Sequence, residues 1–290
     1  MPLQDLDGQI PPQDMADKRT GEVLIMKDHQ NRIIAVANEK GGVGKTVTVL
    51  NLAAALCKEG KRVLVVDMDP QFNATKGLGM DVREEEPTVY DLIMDSQSTE
   101  AARVIRHTRW EGLDLIPSHI DLAGAEVELV DKIGRENRLK EALSGVAETY
   151  DFVFLDTPPS LSLLTVNVLA YAKEVVVPCQ THPYAFAALD GLFDTIFAIK
   201  ENINADLNVT GIVATLFDTR TRISHNILDK LKTDERYAGM LFNTVIRANT
   251  TIAESAGVGK PVIFFRQGSY GSEDYVSLAR ELTARDLPAH

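Results

Sequence analysis

The chain has 290 residues, of which 44% are hydrophobic and 25% charged, and it carries a formal net charge of −12. This composition is typical of a globular protein with a buried core, and the acidic balance excludes a protein that coats nucleic acid with its whole surface, because phosphate binding depends on Lys and Arg. The only two cysteines, Cys57 and Cys179, are too few for a disulfide framework and predict a reducing, cytoplasmic location.

Residues 1–30 form a polar N-terminal segment with six acidic and three basic residues and a Pro11-Pro12 step. This composition predicts a largely disordered extension, in which Val23 to Met26 is the one candidate for a short edge strand. No basic stretch or apolar run follows Met1, and the sequence contains no apolar stretch of 18 residues. We therefore expect neither export nor a membrane span, and a single domain over residues 31–290.

From residue 32 onward, short β-branched runs alternate with longer amphipathic stretches. The predicted strands are Arg32 to Ala37, Arg62 to Asp67, Leu113 to Ile116, Phe152 to Asp156, Glu174 to Pro178, Val209 to Leu216 and Leu241 to Ile246. The predicted helices are Lys45 to Lys58, Leu122 to Glu148, Leu163 to Ala172, Phe186 to Lys200, Ile223 to Leu231 and Glu273 to Thr283. Strands that are apolar on both faces indicate a parallel sheet covered by helices on each side, so the predicted fold class is α/β, doubly wound and mostly parallel.

A glycine-rich loop lies between the first predicted strand and the first predicted helix, which is the context of a phosphate-binding loop. It comprises Lys40, Gly41, Gly42, Val43, Gly44, Lys45 and Thr46, and Val47 follows it. The glycines let successive N–H groups turn inward, and the helix N-terminus adds its positive end. Lys45 is expected to neutralise phosphate oxygens, and the Thr46 hydroxyl to bind Mg²⁺. The loop thus predicts ATP and Mg²⁺ as cofactors; a plain glycine turn is the alternative.

The loop departs from the usual phosphate-loop pattern at one point. Glu39 stands where the first glycine is expected, and Lys40 adds a second lysine. The resulting Lys-Gly-Gly-Val-Gly-Lys-Thr sequence resembles the deviant Walker A loop of the ParA and MinD families. The resemblance implies that Lys40 reaches across an ATP-dependent sandwich dimer to the nucleotide of the other subunit, where it would act as an arginine finger does. The alternative is a solvent-exposed lysine beside the loop.

Acidic residues follow two of the predicted strands. Asp67 and Asp69 end the second strand, and Asp156 ends the fourth, before Thr157-Pro158-Pro159. The carboxyl ends of parallel strands share one sheet edge, so we expect these acids beside the loop, with Asp156 binding Mg²⁺ through water. Resemblance to the Asp-x-Asp-Pro-Gln segment of ParA proteins implies that Asp69 positions the attacking water and also lies at the metal. Asp67 is either a metal-side residue or a cap for the next turn.

Longer segments at 67–75, 122–130 and 158–167 also resemble chromosomal ParA proteins, and the resemblance covers about residues 32–285. It implies an ATPase that slowly converts ATP to ADP and phosphate, forms an ATP-dependent homodimer, binds DNA non-specifically and is stimulated by a ParB-like partner to segregate chromosome or plasmid DNA. It also implies a nucleoid-associated location. A close alternative is the positioning of a protein cargo on the nucleoid through an adaptor.

The DNA-binding prediction depends on local charge. Residues 217–267 hold eight Lys or Arg and five Asp or Glu, a net +3, so the remainder of the chain carries −15. Similarity to ParA proteins assigns DNA contacts to Arg220, with Arg222 as its neighbour, and to Lys260. The family's Pro-Arg-Asn appears here as Arg247-Ala248-Asn249. Arg247 is thus displaced by one position and faces either DNA or the nucleotide, and Asn249 is expected at the nucleotide.

Two other classes of protein share this type of loop. A MinD-like membrane ATPase requires a basic amphipathic C-terminal helix, whereas residues 278–288 balance acids with bases, so we expect no membrane contact. Metabolic relatives include small-molecule ligases and the nitrogenase iron protein, which needs two cysteines near the switch segments for an iron–sulfur cluster. Cys57 follows the loop in its helix and Cys179 ends a strand, and core packing explains both better.

Overall fold

The computed structural model describes residues 31–95 and 99–285. The predictions of a disordered extension over residues 1–30 and of an edge strand at Val23 to Met26 lie outside these residues. The strands are β1 (Arg32–Val36), β2 (Val63–Asp67), β3 (Arg106–His107), β4 (Leu113–Ile116), β5 (Phe152–Asp156), β6 (Glu174–Gln180), β7 (Asn208–Phe217) and β8 (Leu241–Arg247). All seven predicted strands are thus confirmed, and the short β3 is additional.

These strands form one eight-stranded sheet in the order β3-β4-β2-β5-β1-β6-β7-β8. Every pair is parallel except β3 and β4 at one edge. Apolar residues fill both faces, because successive side chains of a strand project to opposite sides. Val65 and Phe154 belong to the core on one face, and Val66 and Leu155 to the core on the other. The predicted doubly wound α/β class is confirmed.

The helices of the described residues cover both faces. They are α1 (Lys45–Lys58), α2 (Asn73–Gly77), α3 (Val89–Met94), α4 (Ala101–Val104), α5 (Leu122–Glu128), α6 (Arg138–Ala142), α7 (Leu163–Tyr171), α8 (Pro183–Ala187), α9 (Leu189–Asn202), α10 (Arg222–Thr233), α11 (Thr250–Gly257), α12 (Val262–Phe265) and α13 (Tyr270–Ala284).

The predicted long helix from Leu122 to Glu148 is wrong. The chain instead forms α5, α6 and a short 3₁₀ helix at Ala147–Thr149. Gly134 and Gly145 lie between these pieces with φ of 68° and 81°, in the left-handed region that ends helices. The predicted helix from Phe186 to Lys200 is likewise divided, into α8 and α9. The short helices α2, α3, α4, α11 and α12 span too few turns to show an apolar period in the sequence.

The C-terminal helix α13 packs against the sheet with its apolar side. Tyr275, Leu278, Ala279 and Leu282 are at most 1% exposed and belong to the core that also contains Val65. The apolar side of α13 therefore forms part of the core. Within the described ranges, no helix combines the length and apolarity needed to cross a membrane.

Candidate active site

Three adjacent strands bring the glycine-rich loop and the acidic residues to one edge of the sheet. β1, which leads into the loop, pairs with β5, and β5 pairs with β2. In this register Val36 and Asp67 both lie beside Asp156. The carboxyl ends of the strands meet here, as the sequence predicted, and this is where ligands bind in open α/β sheets.

The loop owes its shape to two glycines and to hydrogen bonds from distant strands. Gly42 and Gly44 have φ of 76° and 94°, which a side chain would disfavour. Asn38 accepts a hydrogen bond from the Lys40 N–H at 2.9 Å. The Thr215 hydroxyl, at the end of β7, donates to the Val43 carbonyl oxygen at 2.7 Å. The loop is therefore held open as a cradle of backbone N–H groups before α1 begins.

Lys45 lies inside this cradle and is 7% exposed. Its ammonium donates to the carbonyl oxygen of Lys40 at 3.1 Å. Burial lowers the pKa of Lys45, and the nearby carboxylates of Asp156 and Asp69 act in the opposite direction. An ammonium that is partly stripped of water and surrounded by N–H donors is suited to bind phosphate oxygens.

Asp156 is completely buried, and neither of its carboxylate oxygens has a hydrogen-bond partner among the described residues. Burial, followed by the neighbouring charge of Asp67, raises its pKa well above the ordinary value, while Thr46 and Lys45 act in the opposite direction. Buried carboxylates are normally paired or bound to metal. Oxygen ligands from a carboxylate and a threonine hydroxyl suit hydrated Mg²⁺, so Asp156 and Thr46 fit the predicted metal.

Asp67 has a different environment. Its Oδ2 accepts hydrogen bonds from the Thr75 N–H at 2.8 Å and the Thr75 hydroxyl at 2.7 Å, and its Oδ1 accepts from the Asp69 N–H at 3.2 Å. Burial raises the pKa of Asp67 to about 6, against these hydrogen bonds. Of the two roles left open by the sequence, the geometry favours the structural one, in which Asp67 caps the turn after β2.

Asp69 lies on that turn and contributes to the wall of the cleft. Its Oδ1 accepts from the Gln71 N–H at 2.9 Å, and its Oδ2 lies 3.5 Å from the Asn73 amide nitrogen. The Ser118 hydroxyl donates to its carbonyl oxygen at 2.8 Å. The carboxylate is therefore held in one orientation at the cleft.

The cleft has a volume of about 560 Å³, a size typical of small-molecule sites. Its walls include these residues predicted from sequence: Gly41, Gly42, Gly44, Lys45, Thr46, Val47, Asp69 and Asn249. They also include residues that the sequence did not indicate: Leu50, Asn73, Lys76, Gly77, Thr215, Leu216, Ile246, Ile252, Ala253, Ala256 and Tyr275. The additional residues carry no local motif, and a largely apolar wall at one end of a phosphate cradle is suited to a nucleotide base.

Lys40 does not line this cleft. Its ammonium instead lies 5.6 Å from the ring centre of Tyr184 in α8, a side chain that is 75% exposed. A lysine stacked on an exposed ring is accessible from outside the subunit. The ammonium of Lys45 therefore lies in the cleft of its own subunit, whereas that of Lys40 lies outside this cleft.

Comparison with known proteins identifies the family. A family model described as an AAA domain matches residues 31–209. The sporulation initiation inhibitor protein Soj of Bacillus subtilis is 43% identical over 87% of this chain and 98% of its own length. The chromosome partitioning protein ParA of Myxococcus xanthus is 40% identical over 89% of each chain. The chain belongs to the ParA/Soj family.

A solved structure supports the architecture of the site. Cobyrinic acid a,c-diamide synthase from Mycobacterium smegmatis, with bound ATP analog and magnesium, is 34% identical and superposes with a TM-score of 0.74 over 89% of this chain and 98% of that one. The ParA/Soj fold is thus shared with a protein that binds an adenine nucleotide and magnesium.

The DNA-binding residues that the ParA resemblance indicated lie in two places. Arg220 is exposed and forms a bidentate ion pair with Asp218, at 3.0 and 3.1 Å. Arg222 begins α10 and is also exposed. Because β7 pairs with β8, this segment lies next to Arg247. Lys260 is separated from them by α11 and follows Gly259, which packs against Gly79.

Arg247 is engaged within the subunit. Its guanidinium donates to both carboxylate oxygens of Asp274, which is 7% exposed, and lies 4.1 Å from the ring centre of Tyr270. It does not line the nucleotide cleft. The assignment of Arg247 to DNA stays a prediction. Its contacts with Asp274 and Tyr270 give it a structural role as well.

Proposed function

We propose that this chain is a ParA-type ATPase that dimerises around ATP, binds DNA non-specifically and releases it when a ParB-like partner stimulates hydrolysis. This proposal is supported above all by the different positions of the two loop lysines. Lys45 lies in the cleft of its own subunit, and Lys40 lies outside that cleft on an exposed ring. The 40% identity to a protein named as a chromosome partitioning ParA supports DNA as the cargo.

Within one subunit, the described residues are suited to hold Mg-ATP. The N–H groups of the loop and the ammonium of Lys45 would bind the phosphates. Thr46, and Asp156 and Asp69 through water, would hold Mg²⁺, which when bound would neutralise charge on the phosphate oxygens. The carboxylate of Asp69, fixed by the Gln71 N–H, would orient the attacking water toward the terminal phosphate.

Between subunits, Lys40 would complete the site of the partner. The Tyr184 ring keeps its ammonium at the surface, so no large rearrangement of the loop is needed for it to reach a second molecule. Positive charge added at the transferring phosphate stabilises the charge that develops there. Hydrolysis would then depend on dimerisation, and ATP would act as a switch between monomer and dimer.

DNA binding would use Arg220 and Arg222 at the carboxyl edge of β7, with Lys260 as a second contact. The local +3 charge of residues 217–267 within an acidic chain supports a confined patch, and DNA contact would associate the protein with the nucleoid. Two copies of the patch in a dimer would bind DNA more tightly than one, which would couple DNA binding to ATP.

The test is Asp69→Ala, compared with Asp81→Ala, which changes an exposed aspartate beyond α2. Asp69→Ala should bind ATP with unchanged affinity, fail to hydrolyse it and accumulate as a dimer with Mg-ATP in analytical ultracentrifugation. The dimer should bind DNA with ATP but not with ADP, with an affinity that falls as salt rises. An Asp69→Ala protein that stays monomeric at saturating Mg-ATP would rule out the proposed cycle.

A second candidate, a small-molecule synthase, is suggested by the 34% identity to a cobyrinic acid amidating enzyme. A synthase consumes ATP only when its acid substrate is present. A partition ATPase hydrolyses ATP without any acid, and faster with DNA and its partner protein. Hydrolysis measured with Mg-ATP and DNA alone therefore separates the two.

A further inference from the structure

Phe72 has an unusual backbone for its residue type. Its φ of 47° and ψ of 40° lie in the left-handed region, which disfavours residues with a side chain. In the described part of the chain, Leu216 is the other non-glycine residue with positive φ, and it lines the cleft. Strained backbone of this kind persists where the surroundings hold it, often beside a functional site.

Two neighbouring side chains contact the Phe72 ring. The ammonium of Lys76, a residue of the cleft wall, lies 3.7 Å from the ring centre. The ring of His119 stacks on it with centres 6.2 Å apart and planes at 29°. His119 is in turn hydrogen-bonded through Nδ1 to Asp121 at 2.9 Å. A cation and an aromatic ring together stabilise the strained turn.

The same turn supports the carboxylate of Asp69. The Phe72 N–H donates to the Asp69 carbonyl oxygen at 2.8 Å, and the residues on either side of Phe72 contact the Asp69 carboxylate. The Gln71 N–H donates to one oxygen, and the amide of Asn73 lies 3.5 Å from the other. Rotation of the backbone at Phe72 would therefore move the Asn73 amide relative to the Asp69 carboxylate and alter the turn that the Phe72 N–H closes.

We propose that Phe72 is a positioning residue for Asp69: its ring contacts with Lys76 and His119, which together form a clamp, fix the turn that orients the carboxylate in the cleft. The inference rests on the proposed role of Asp69 in hydrolysis. Because Lys76 also forms part of the cleft wall, the clamp connects the nucleotide site directly to this turn.

Three substitutions separate positioning from plain stability. Phe72→Tyr keeps the aromatic face. Phe72→Gly removes the ring and also the backbone strain, since glycine adopts positive φ freely. Phe72→Leu removes the aromatic face but keeps the strain. We therefore expect Phe72→Gly to be at least as stable as wild type, Phe72→Tyr to be about as stable as wild type, and Phe72→Leu to be less stable than wild type.

Hydrolysis should follow a different order. Phe72→Tyr should hydrolyse ATP within about twofold of wild type, because the cation–ring contact remains. The single-turnover rate of Phe72→Gly and of Phe72→Leu should fall by about tenfold, because the Asp69 carboxylate is no longer held in the orientation that positions the attacking water. The dissociation constant for ATP should not change. The measurements are thermal unfolding, nucleotide titration and single-turnover hydrolysis on the full chain.

The decisive variant is Phe72→Gly. If it is as stable as wild type and hydrolyses ATP at the wild-type rate, the ring has no positioning role and the inference is overturned. Asp69→Ala, measured in parallel, separates this failure from a failure of the proposed function. An inactive Asp69→Ala with a fully active Phe72→Gly overturns the clamp alone, whereas a fully active Asp69→Ala overturns the role of Asp69 itself.

Discussion

The ammonium of Lys45 donates a hydrogen bond to the carbonyl oxygen of Lys40 at 3.1 Å, so the backbone of one loop lysine holds the side chain of the other. The side chain of Lys40 extends away from this contact, toward Tyr184. One short loop thus places one ammonium in the cleft and the other outside it, beside Tyr184. This arrangement lets the two lysines be tested independently.

Lys40→Met should leave ATP binding by the subunit intact and abolish ATP-dependent dimerisation and hydrolysis. Lys45→Met should instead weaken ATP binding by about 10- to 100-fold, because a charge-assisted hydrogen bond to phosphate is lost. Isothermal titration and sedimentation measure the two effects. Lys58→Met, at the exposed end of α1, is the control. Equal loss of ATP affinity in the Lys40 and Lys45 variants would contradict the assignment of Lys40 to the other subunit.

Asp156→Asn should raise the unfolding temperature of the nucleotide-free protein while removing the effect of Mg²⁺ on ATP affinity. The carboxyl group is fully buried and has no hydrogen-bond partner among the described residues, so its charged form is costly and a neutral amide of the same shape is easier to bury. An increase of about 2–4 °C corresponds to roughly 1 kcal/mol for a chain of this size. Asp67→Asn is the matched comparison. It should lower the unfolding temperature, because it disturbs the hydrogen bonds from Thr75.

Asp218→Asn should strengthen DNA binding at low salt. Its carboxylate now holds the guanidinium of Arg220 in an exposed ion pair. Releasing Arg220 should raise DNA affinity by only about two- to fivefold, since exposed ion pairs are weak. Arg220→Ala should lower DNA affinity. It should also reduce the slope of log affinity against log salt concentration by about one. Arg62→Ala, just before the amino-terminal end of β2, should change neither. The idea fails if Asp218→Asn still strengthens binding in a protein that already lacks Arg220.

Arg247→Gln should lower stability and leave DNA binding unchanged. It breaks the ion pair with Asp274, whose carboxylate is nearly buried and would lose its partner. The expected decrease in the free energy of unfolding is about 1–3 kcal/mol. Denaturant unfolding and a DNA titration, with the exposed Arg266→Gln as control, measure the two effects. A loss of DNA affinity without a loss of stability would show that Arg247 contacts DNA and that its ion pair is not important for stability.

Much of the architecture was readable in the sequence. The seven predicted strands are confirmed to within two residues, because a buried parallel strand must be a continuous run of apolar residues. The loop was readable because its glycines and lysines are adjacent in the chain and act together. The long helix predicted from Leu122 was wrong because its apolar period continues past Gly134 and Gly145, where the backbone turns to positive φ.

Other parts of the site depend on residues far apart in the chain. The sequence assigned Asp156 to the metal but left Asp67 open between a metal-side and a structural role. Their surroundings favour one of these roles, because Thr75 donates to Asp67 whereas Asp156 has no hydrogen-bond partner among the described residues. The Val43 carbonyl is held by Thr215, 172 positions away.

The sequence by itself therefore determined the family, the fold class and the phosphate loop, because these depend on local patterns of residues. Only the tertiary structure decided which carboxylate lacks a partner among the described residues, which lysine lies outside the cleft and which acidic residues pair with Arg220 and Arg247. Those properties depend on burial and on neighbours supplied by other strands and helices, and a linear pattern does not contain them.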